Sequence, residues 1–578
     1  MCQKALISDL IEVATGRRKA DLVIKHARIV DVFSHKITEG SLAVVKGFIA
    51  GIGAYEGENE IDAHNKYIIP GLIDSHVHIE SAMVSPEHFI EAILPCGTTT
   101  IIADPHEISN VCGLDGIKYM LDATKQCPMN VYIMLPSCVP VTTFEHSGAN
   151  LGAEELKTYI GHPRVLGLGE MMDYPGVVHG NAEIIKKIAL AKSMNKVIDG
   201  HSPMLEGKDL TAYAAVGIIT DHECSTVEEM NDRIARGMYV LIRQGSAAKN
   251  LPDLIRGVNE KNSRRCLFCT DDRQPNDILH VGHINNHLRM AVSSGVDAIT
   301  AIQMATINAA ECYGLNHVGA LAPGYAADMI IVDDLRQFSV DKVFVHGKLE
   351  AASGRILHAV PVTSIGPVAG TVHVQGFTRD SLKLPLKSDF AHVIRITPHS
   401  LVTEHVVRKV FTDDHGNFVS DSTLDLLKLV VIERHKNTGN AGLGIVENYQ
   451  LKGGAIATSI AHDSHNIIAI GDNDEDIYMV IQQIIKLSGG ITMCAQGHIL
   501  DSLPLPIAGI MSDRSAAYVD EKLQSMHKTA FETFHINKEI DPFMTLSFMA
   551  LPVIPNIKLT DMGLFDVRNF KFINISPD

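Results

Sequence analysis

Two histidines two residues apart, in Asp74-Ser75-His76-Val77-His78, form the sharpest chemical signal in this chain. In an extended strand such positions share a face, so both imidazoles can reach one metal ion. Alone the pair carries little, because H-x-H also arises as an incidental surface pair. What separates the two readings is a series of donors, each directly after a short apolar run: Glu170 after LGLG, His201 after VIDG, His222 after IITD and Asp271 after CLFCT. For His201 or His222 taken singly, the bland alternative is a turn residue satisfied by hydrogen bonds. Together, four imidazoles and two carboxylates can hold two divalent ions, with a carboxylate bridging them. A bound pair of cations lowers the pKa of a water shared between them and makes hydroxide available near neutral pH.

Donors so widely spread must be gathered by the fold. From about 70 to 315, apolar runs that end in polar residues alternate with longer helical patterns: YIIPGLIDSH, TTTIIADPHE, VYIMLPS, RVLGLGE, KVIDGH, GIITDH, YVLIRQG and CLFCTDD. Eight such runs predict an α/β chain with a (β/α)8, TIM-like barrel, in which reactive groups sit where strands end and loops begin. An amphipathic stretch over residues 5–15 precedes two β-rich segments, ADLVIKHARIVDV and SLAVVKGFIAGIG, and a similar pattern returns downstream as AADMIIVDD and DKVFVHGKLE. A small β-domain formed from both flanks of the barrel is the expectation. After about 395 the composition changes to segments such as VIERHKNTGNAGLGIVEN and LKGGAIATSIAHDSHNIIAIGDNDED, which predict an additional C-terminal α/β module. The expected organisation is residues 1–69 for the first part of the β-domain, 70–315 for the barrel, 316–394 for the return and a linker, and 395–578 for the module.

Composition narrows the function classes. A chain of 578 residues with 46% hydrophobic and 20% charged residues is large enough for at least two cores and suits an ordinary folded enzyme. Its formal charge of −17 and pI near 5.9 disfavour a nucleic-acid partner, since phosphate backbones are held by clustered Lys and Arg. No apolar run approaches the roughly 20 residues of a membrane span, and the first segment lacks a signal-peptide core, so neither a membrane nor export is expected and the chain reads as cytoplasmic. Its ten cysteines are scattered and expected to be reduced, most of them buried. Asp472-Asn473-Asp474-Glu475-Asp476 resembles the start of an EF-hand loop, but Ile477 and Gln483 stand where Gly and Glu are needed. His78-Ile79-Glu80 and Cys266-x-x-Cys269 superficially spell the H-x-E and C-x-x-C parts of zinc nucleobase deaminases. Arg265 replaces the expected proline, however, and two cysteines three apart in a strand face opposite ways.

Longer motifs run through most of the chain: PGLIDSHVHIESAMVSPEHF, ADPHEISNVCG, LGLGEMMDYPGVV, DGHSPMLEGKDLTAYAAVGIITDHE, TDDRQPNDILHVGHIN, MATINAAECYGL, LKGGAIATSIAHDSHNI and LPVIPNIKLTDMGL. In these the sequence resembles the adenine deaminases of the amidohydrolase superfamily. The resemblance implies hydrolysis of adenine to hypoxanthine and ammonia. It assigns His76, His78 and Asp271 to one metal, His201 and His222 to a second, and Glu170 to the bridging place that a carboxylated lysine occupies in many superfamily relatives. Asp271 is then the expected general base and Glu170 a candidate proton relay to the ring, while the adjacent Asp272 could be mistaken for Asp271. Strand alternation points the two aspartates to opposite sides. The ligand types favour Mn2+ or Fe2+ and admit Zn2+. Glu80, Ser81, Asp104, His106, Glu107, Asp272 and Arg273 lie just beyond run ends and are expected to shape the adenine pocket. His462-Asp463-Ser464-His465 suggests another metal site, yet two histidines three apart with one aspartate fit a polar loop equally well, or a lid or pocket wall. A homo-oligomer, a dimer above all, is the ordinary expectation. Two alternatives share the fold: a cyclic amidohydrolase of the dihydropyrimidinase or dihydroorotase type, and a binding protein without catalysis.

Overall fold

The structure, a computed structural model, describes residues 3–577. Its centre is built from eight short strands: β1 (Leu72–His78), β2 (Thr98–Ala103), β3 (Asn130–Leu135), β4 (Val165–Met171), β5 (Val197–Gly200), β6 (Thr220–Asp221), β7 (Tyr239–Arg243) and β8 (Cys266–Cys269). β1 and β2 are buried along their whole length, the pattern expected of parallel strands covered on both faces. Parallel pairing runs from β1 to β5 and from β6 to β8. Two seams close the ring. The Ile219 N–H donates to the Ile198 carbonyl at 3.1 Å beside β5 and β6, and Asp271 and Asp272, just past β8, pair with Val77 and His78 of β1. The result is a TIM-like barrel, as the eight apolar runs predicted.

All around the ring, strands send apolar side chains to a common cluster that includes Ile73, Ile102, Met134, Leu166, Val197, Leu241 and Leu267, with Ile219 from the residue before β6. The helix Ile307–Cys312 contributes Ala309, Ala310 and Cys312 to the same cluster, and Tyr313 follows it inward, its hydroxyl donating to the Ser75 carbonyl at 2.8 Å. This plug leaves the opposite, C-terminal ends of the strands free for polar groups. The returning helices are set by local signals. Helix Val227–Ala235, for example, is capped by Thr226, whose hydroxyl accepts from Glu229 N while the Glu229 carboxylate accepts from Thr226 N.

The run YIIPGLIDSH divides into two elements at Gly71. Tyr67–Pro70 belongs to a nine-stranded sheet, and β1 begins at Leu72. A Cβ on Gly71 would lie 2.1 Å from Thr99 Oγ1, so glycine permits the close passage between sheet and barrel. Tyr67–Pro70 pairs with Ala20–Asp31 on one side and Met329–Val332 on the other, joining both flanks of the chain in one sheet.

A second, eight-stranded sheet follows, with Thr403–Lys409 at one edge and His498–Pro504 at the other. It includes Phe390–Ile396, so it starts inside the span first assigned to the linker; Ala391 and Val393 join one apolar cluster and Ile394 and Ile396 another, so both faces of this strand are covered. Helix Asp474–Leu487 covers one face through Ile477, Val480, Ile481 and Ile484. Asn473 caps that helix, accepting from Asp476 N at 2.8 Å, so the acidic run opens a helix and forms no calcium loop. Residues 459–466, after the strand Ala455–Thr458, enter the mouth of the barrel. Among the described residues no cysteine is paired and no helix is long and apolar enough to cross a membrane.

Candidate active site

The C-terminal ends of β1, β4, β5, β6 and β8 converge on one buried polar cluster. His76 Nε2 lies 3.1 Å from His78 Nε2, and His201 Nδ1 lies 3.4 Å from His222 Nε2. Glu170 stands between the two pairs and divides its oxygens between them. Oε1 is 3.2 Å from His78 and 3.8 Å from His76, and Oε2 is 2.8 Å from His201 and 3.3 Å from His222. Asp271 Oδ1 is 3.1 Å from His78 Nε2. The rings of His76 and His222 stack at 4.3 Å, which sets the two pairs side by side. All six groups expected from the run ends are therefore brought together.

Neighbours fix their orientation. The Asp104 carbonyl, 2.9 Å from His78 Nδ1, holds that ring so that Nε2 faces the cluster, and the Asp104 carboxylate accepts from Glu170 N at 2.9 Å. Burial opposes ionisation of Glu170, but hydrogen bonds from His201, His222 and His78 outweigh it and hold its carboxyl well below the ordinary range. For Asp271 burial is again overcome, here by the Arg243 guanidinium and by His78. Both carboxylates stay ionised at neutral pH.

Arg243 and Glu223 were not singled out in the sequence. Arg243, the last residue of β7, donates to Asp271 Oδ2 at 2.6 Å and also to Glu223 Oε1, which itself lies 3.5 Å from His222 Nε2. Their signal was faint but present: Arg243 ends the run YVLIR, and Glu223 directly follows His222. The buried Asp74 accepts from Thr270 N at 3.0 Å, tying the first motif to the last.

The expected pocket residues separate into three groups. Glu80, Ser81, Glu107 and Asp272 line a cavity beside the cluster. Asp104 and His106 lie deeper; His106 Nδ1 is 3.3 Å from Glu170 Oε1, and its ring meets that of His78 edge-on at 4.5 Å. Arg273 is a correction. Its guanidinium donates to the Gly282 carbonyl from Nε and Nη2, at 3.0 and 2.7 Å, and to the Gln244 carbonyl at 2.6 Å, so a residue expected beside the substrate instead braces two loops. The two aspartates also depart from simple alternation. Asp271 adopts φ +58°, a turn that aspartate tolerates, and Asp271 and Asp272 each place an oxygen within 4.8 Å of a ring nitrogen of His78. Asp272 accepts from the Ser81 hydroxyl.

The far wall of the cavity comes from the C-terminal sheet region. His462 Nδ1 lies 2.6 Å from Glu107 Oε1, His465 Nε2 bonds the other Glu107 oxygen, and Phe543 and Phe548 close the side. His462 and His465 are thus buried pocket residues rather than parts of an exposed loop.

The donor set suits divalent cations. Bonds of about 2.1 Å place neighbouring donors about 3.0–3.4 Å apart. The separations between His76 and His78, between His201 and His222, and from Glu170 and Asp271 to His78 fall in that range. Imidazole and carboxylate together, without thiolate, match intermediate to hard ions.

Comparison with known proteins places this geometry among relatives. Residues 67–349 match the amidohydrolase family, and residues 400–571 match the adenine deaminase C-terminal domain. An adenine deaminase from Nitratidesulfovibrio vulgaris is 53% identical over 575 residues, covering 100% of both chains, and one from Clostridium acetobutylicum is 51% identical over 568 residues, covering 98% of this chain and 100% of its own. Among solved structures an enamidase of the amidohydrolase superfamily aligns with a TM-score of 0.45 at 19% identity, covering 59% of this chain and 98% of that one. With full-length identity of the extent found in the first two, this chain belongs to the adenine deaminase family.

Proposed function

We propose that the chain hydrolyses adenine to hypoxanthine and ammonia at a pair of divalent cations. His76, His78 and Asp271 hold one, His201 and His222 the other, and Glu170 bridges them. The observation that carries this reading is the division of the Glu170 oxygens, one toward each histidine pair. No lysine stands at that strand end, so the bridge needs no carboxylated side chain. Mn2+ or Fe2+ suits the donors best, and Zn2+ is admitted. The unpaired cysteines support a reducing, cytoplasmic setting.

Cations held there supply Lewis-acid activation of the attacking water. The chain's own groups do the rest. Asp271 has Oδ2 fixed by Arg243, which leaves Oδ1 directed at the cluster to accept the proton as the C6–O bond forms. Asp271 then passes that proton to the amino nitrogen, the C6–N bond breaks and ammonia leaves. Both Glu170 oxygens are engaged by imidazoles, which favours its bridging role over the relay role. Glu80 is the better placed relay, because it lines the cavity and is not among the groups assigned to hold the cations. Phe543, Phe548 and Ile510 give the flat, apolar surface that a purine base needs.

The test is an ultraviolet assay of metal-replete protein against adenine, adenosine, cytosine and dihydrouracil, with ammonia measured in parallel. Turnover of adenine is expected. Ring opening of dihydrouracil without ammonia release from adenine would overturn the proposal in favour of a cyclic amidohydrolase.

A further inference from the structure

His462 is held unusually firmly for a loop residue. Its Nδ1 lies 2.6 Å from Glu107 Oε1, and its ring stacks on Phe548 at 4.3 Å with an interplanar angle of 18°. These contacts fix both the plane of the imidazole and its rotation within that plane. They engage Nδ1 and leave Nε2 without a hydrogen-bond partner among the described residues. Nε2 is also absent from the polar atoms sealed away from solvent without a partner, whereas His465 Nδ1 is one of those. His462 lines the cavity between Glu107 and Asp272 on the barrel side and Phe548 on its own side. One ring nitrogen is anchored to the barrel, and the other faces the space where the base binds.

We propose that His462, supplied by the C-terminal module, is a substrate-positioning residue that donates a hydrogen bond from Nε2 to a ring nitrogen of the bound purine. This rests on the proposed function and deepens it by assigning a recognition contact outside the barrel. Adenine presents N1, N3 and N7 as acceptors on its rim, so a donor fixed in a plane beside an aromatic wall matches a flat heteroaromatic ligand. Donation requires a hydrogen on Nε2 while Nδ1 also donates to Glu107. Burial disfavours the doubly protonated ring, but Glu107 and Asp272 outweigh it and raise the His462 pKa to about 9.

The experiment compares 1-, 3- and 7-deazaadenine as competitive inhibitors, each replacing one acceptor nitrogen by C–H, in the wild-type metalloenzyme, His462→Asn and His462→Gln. An asparagine amide can take the place of Nδ1–H against Glu107 but reaches nothing at the Nε2 position, whereas a glutamine amide can reach it. One analogue is expected to bind the wild type about tenfold more weakly than the other two, the order of effect of one lost hydrogen bond in a buried site. The gap should close to within about twofold in His462→Asn and persist in His462→Gln. Metal content and melting temperature of each variant separate this outcome from misfolding. If His462→Asn ranks the three analogues as the wild type does, the contact does not exist. If the wild type releases no ammonia from adenine, the proposed function itself fails, and the two failures are distinguishable.

Discussion

Replacing Asp271 by asparagine removes a proton acceptor while keeping the side chain's size. Asp271 Oδ2 accepts from Arg243 at 2.6 Å, and Oδ1 sits 3.1 Å from His78 Nε2. An amide cannot satisfy both sides as the carboxylate does. With its oxygen toward Arg243 it turns an N–H₂ toward the cluster, and in the other orientation it sets N–H₂ against a guanidinium N–H. Five other donors remain, so metal binding should weaken but persist when ions are supplied in excess. Proton acceptance is lost in either orientation. A positioned general base contributes about 10²–10⁴ in rate, equivalent to about 2.7–5.4 kcal/mol, so kcat should fall by that factor. Initial rates of ammonia release should be read beside elemental analysis of the same samples. A variant that keeps both ions and near-full activity would refute the assignment, and one that loses activity only as it loses metal would make Asp271 a ligand without a proton-transfer role.

Fully active protein should carry about two divalent ions per chain, since six donors at five strand ends exceed the needs of one four-coordinate site; a maximum of one would remove the bridge from Glu170. Adenosine should be turned over far more slowly than adenine, because the module walls the cavity with Phe543, Phe548 and Ile510 opposite the barrel mouth; comparable kcat/KM values would sink that expectation. Lys558 is buried with its ammonium on the carbonyls of Leu401 and Phe548, at 3.0 and 3.1 Å, and burial pushes its pKa from 10.5 down to about 7. The unfolded chain therefore binds more protons between those pH values, so this residue makes stability rise with pH across the window. Lys558→Met should flatten that rise in urea midpoints taken from pH 7 to 10, and equal slopes in the two proteins would contradict it.

The barrel was legible because its strands obey one rule. A parallel strand buried on both faces reads as an unbroken apolar run, and each run here stops where a polar side chain reaches the mouth. The same rule blurred the first strand. YIIPGLI is apolar throughout, and the approach of Gly71 to Thr99 marks where two sheets meet. The convergence of the six proposed donors was legible for a related reason, since strand ends are fixed points that converge on one axis. Asp272 was harder. Alternation sends it away from Asp271, but φ +58° at Asp271 breaks the alternation, and a single backbone angle of that kind leaves no trace in residue types.

Arg273 and His462 show where reading from spacing stops. Arg273 follows Asp271 and Asp272 and so reads as a pocket residue, yet its guanidinium donates three hydrogen bonds to backbone carbonyls that nothing local announces. His462 reads as loop because its partner Glu107 is 355 positions away. No periodicity predicts such a contact; it depends on how one folded unit docks on another. Docking is firm. Besides Glu107, the loop is held by Ser464 donating to Glu145 at 2.6 Å and by Asn466 donating to the His146 carbonyl at 2.8 Å. Separating the two units would break each of these hydrogen bonds, a net loss of about 0.5–1.5 kcal/mol apiece and more where a partner is charged. The C-terminal loop is therefore a fixed wall of the cavity rather than a lid, and the barrel without it would keep its histidine–carboxylate cluster but lose about half of the residues that line the cavity.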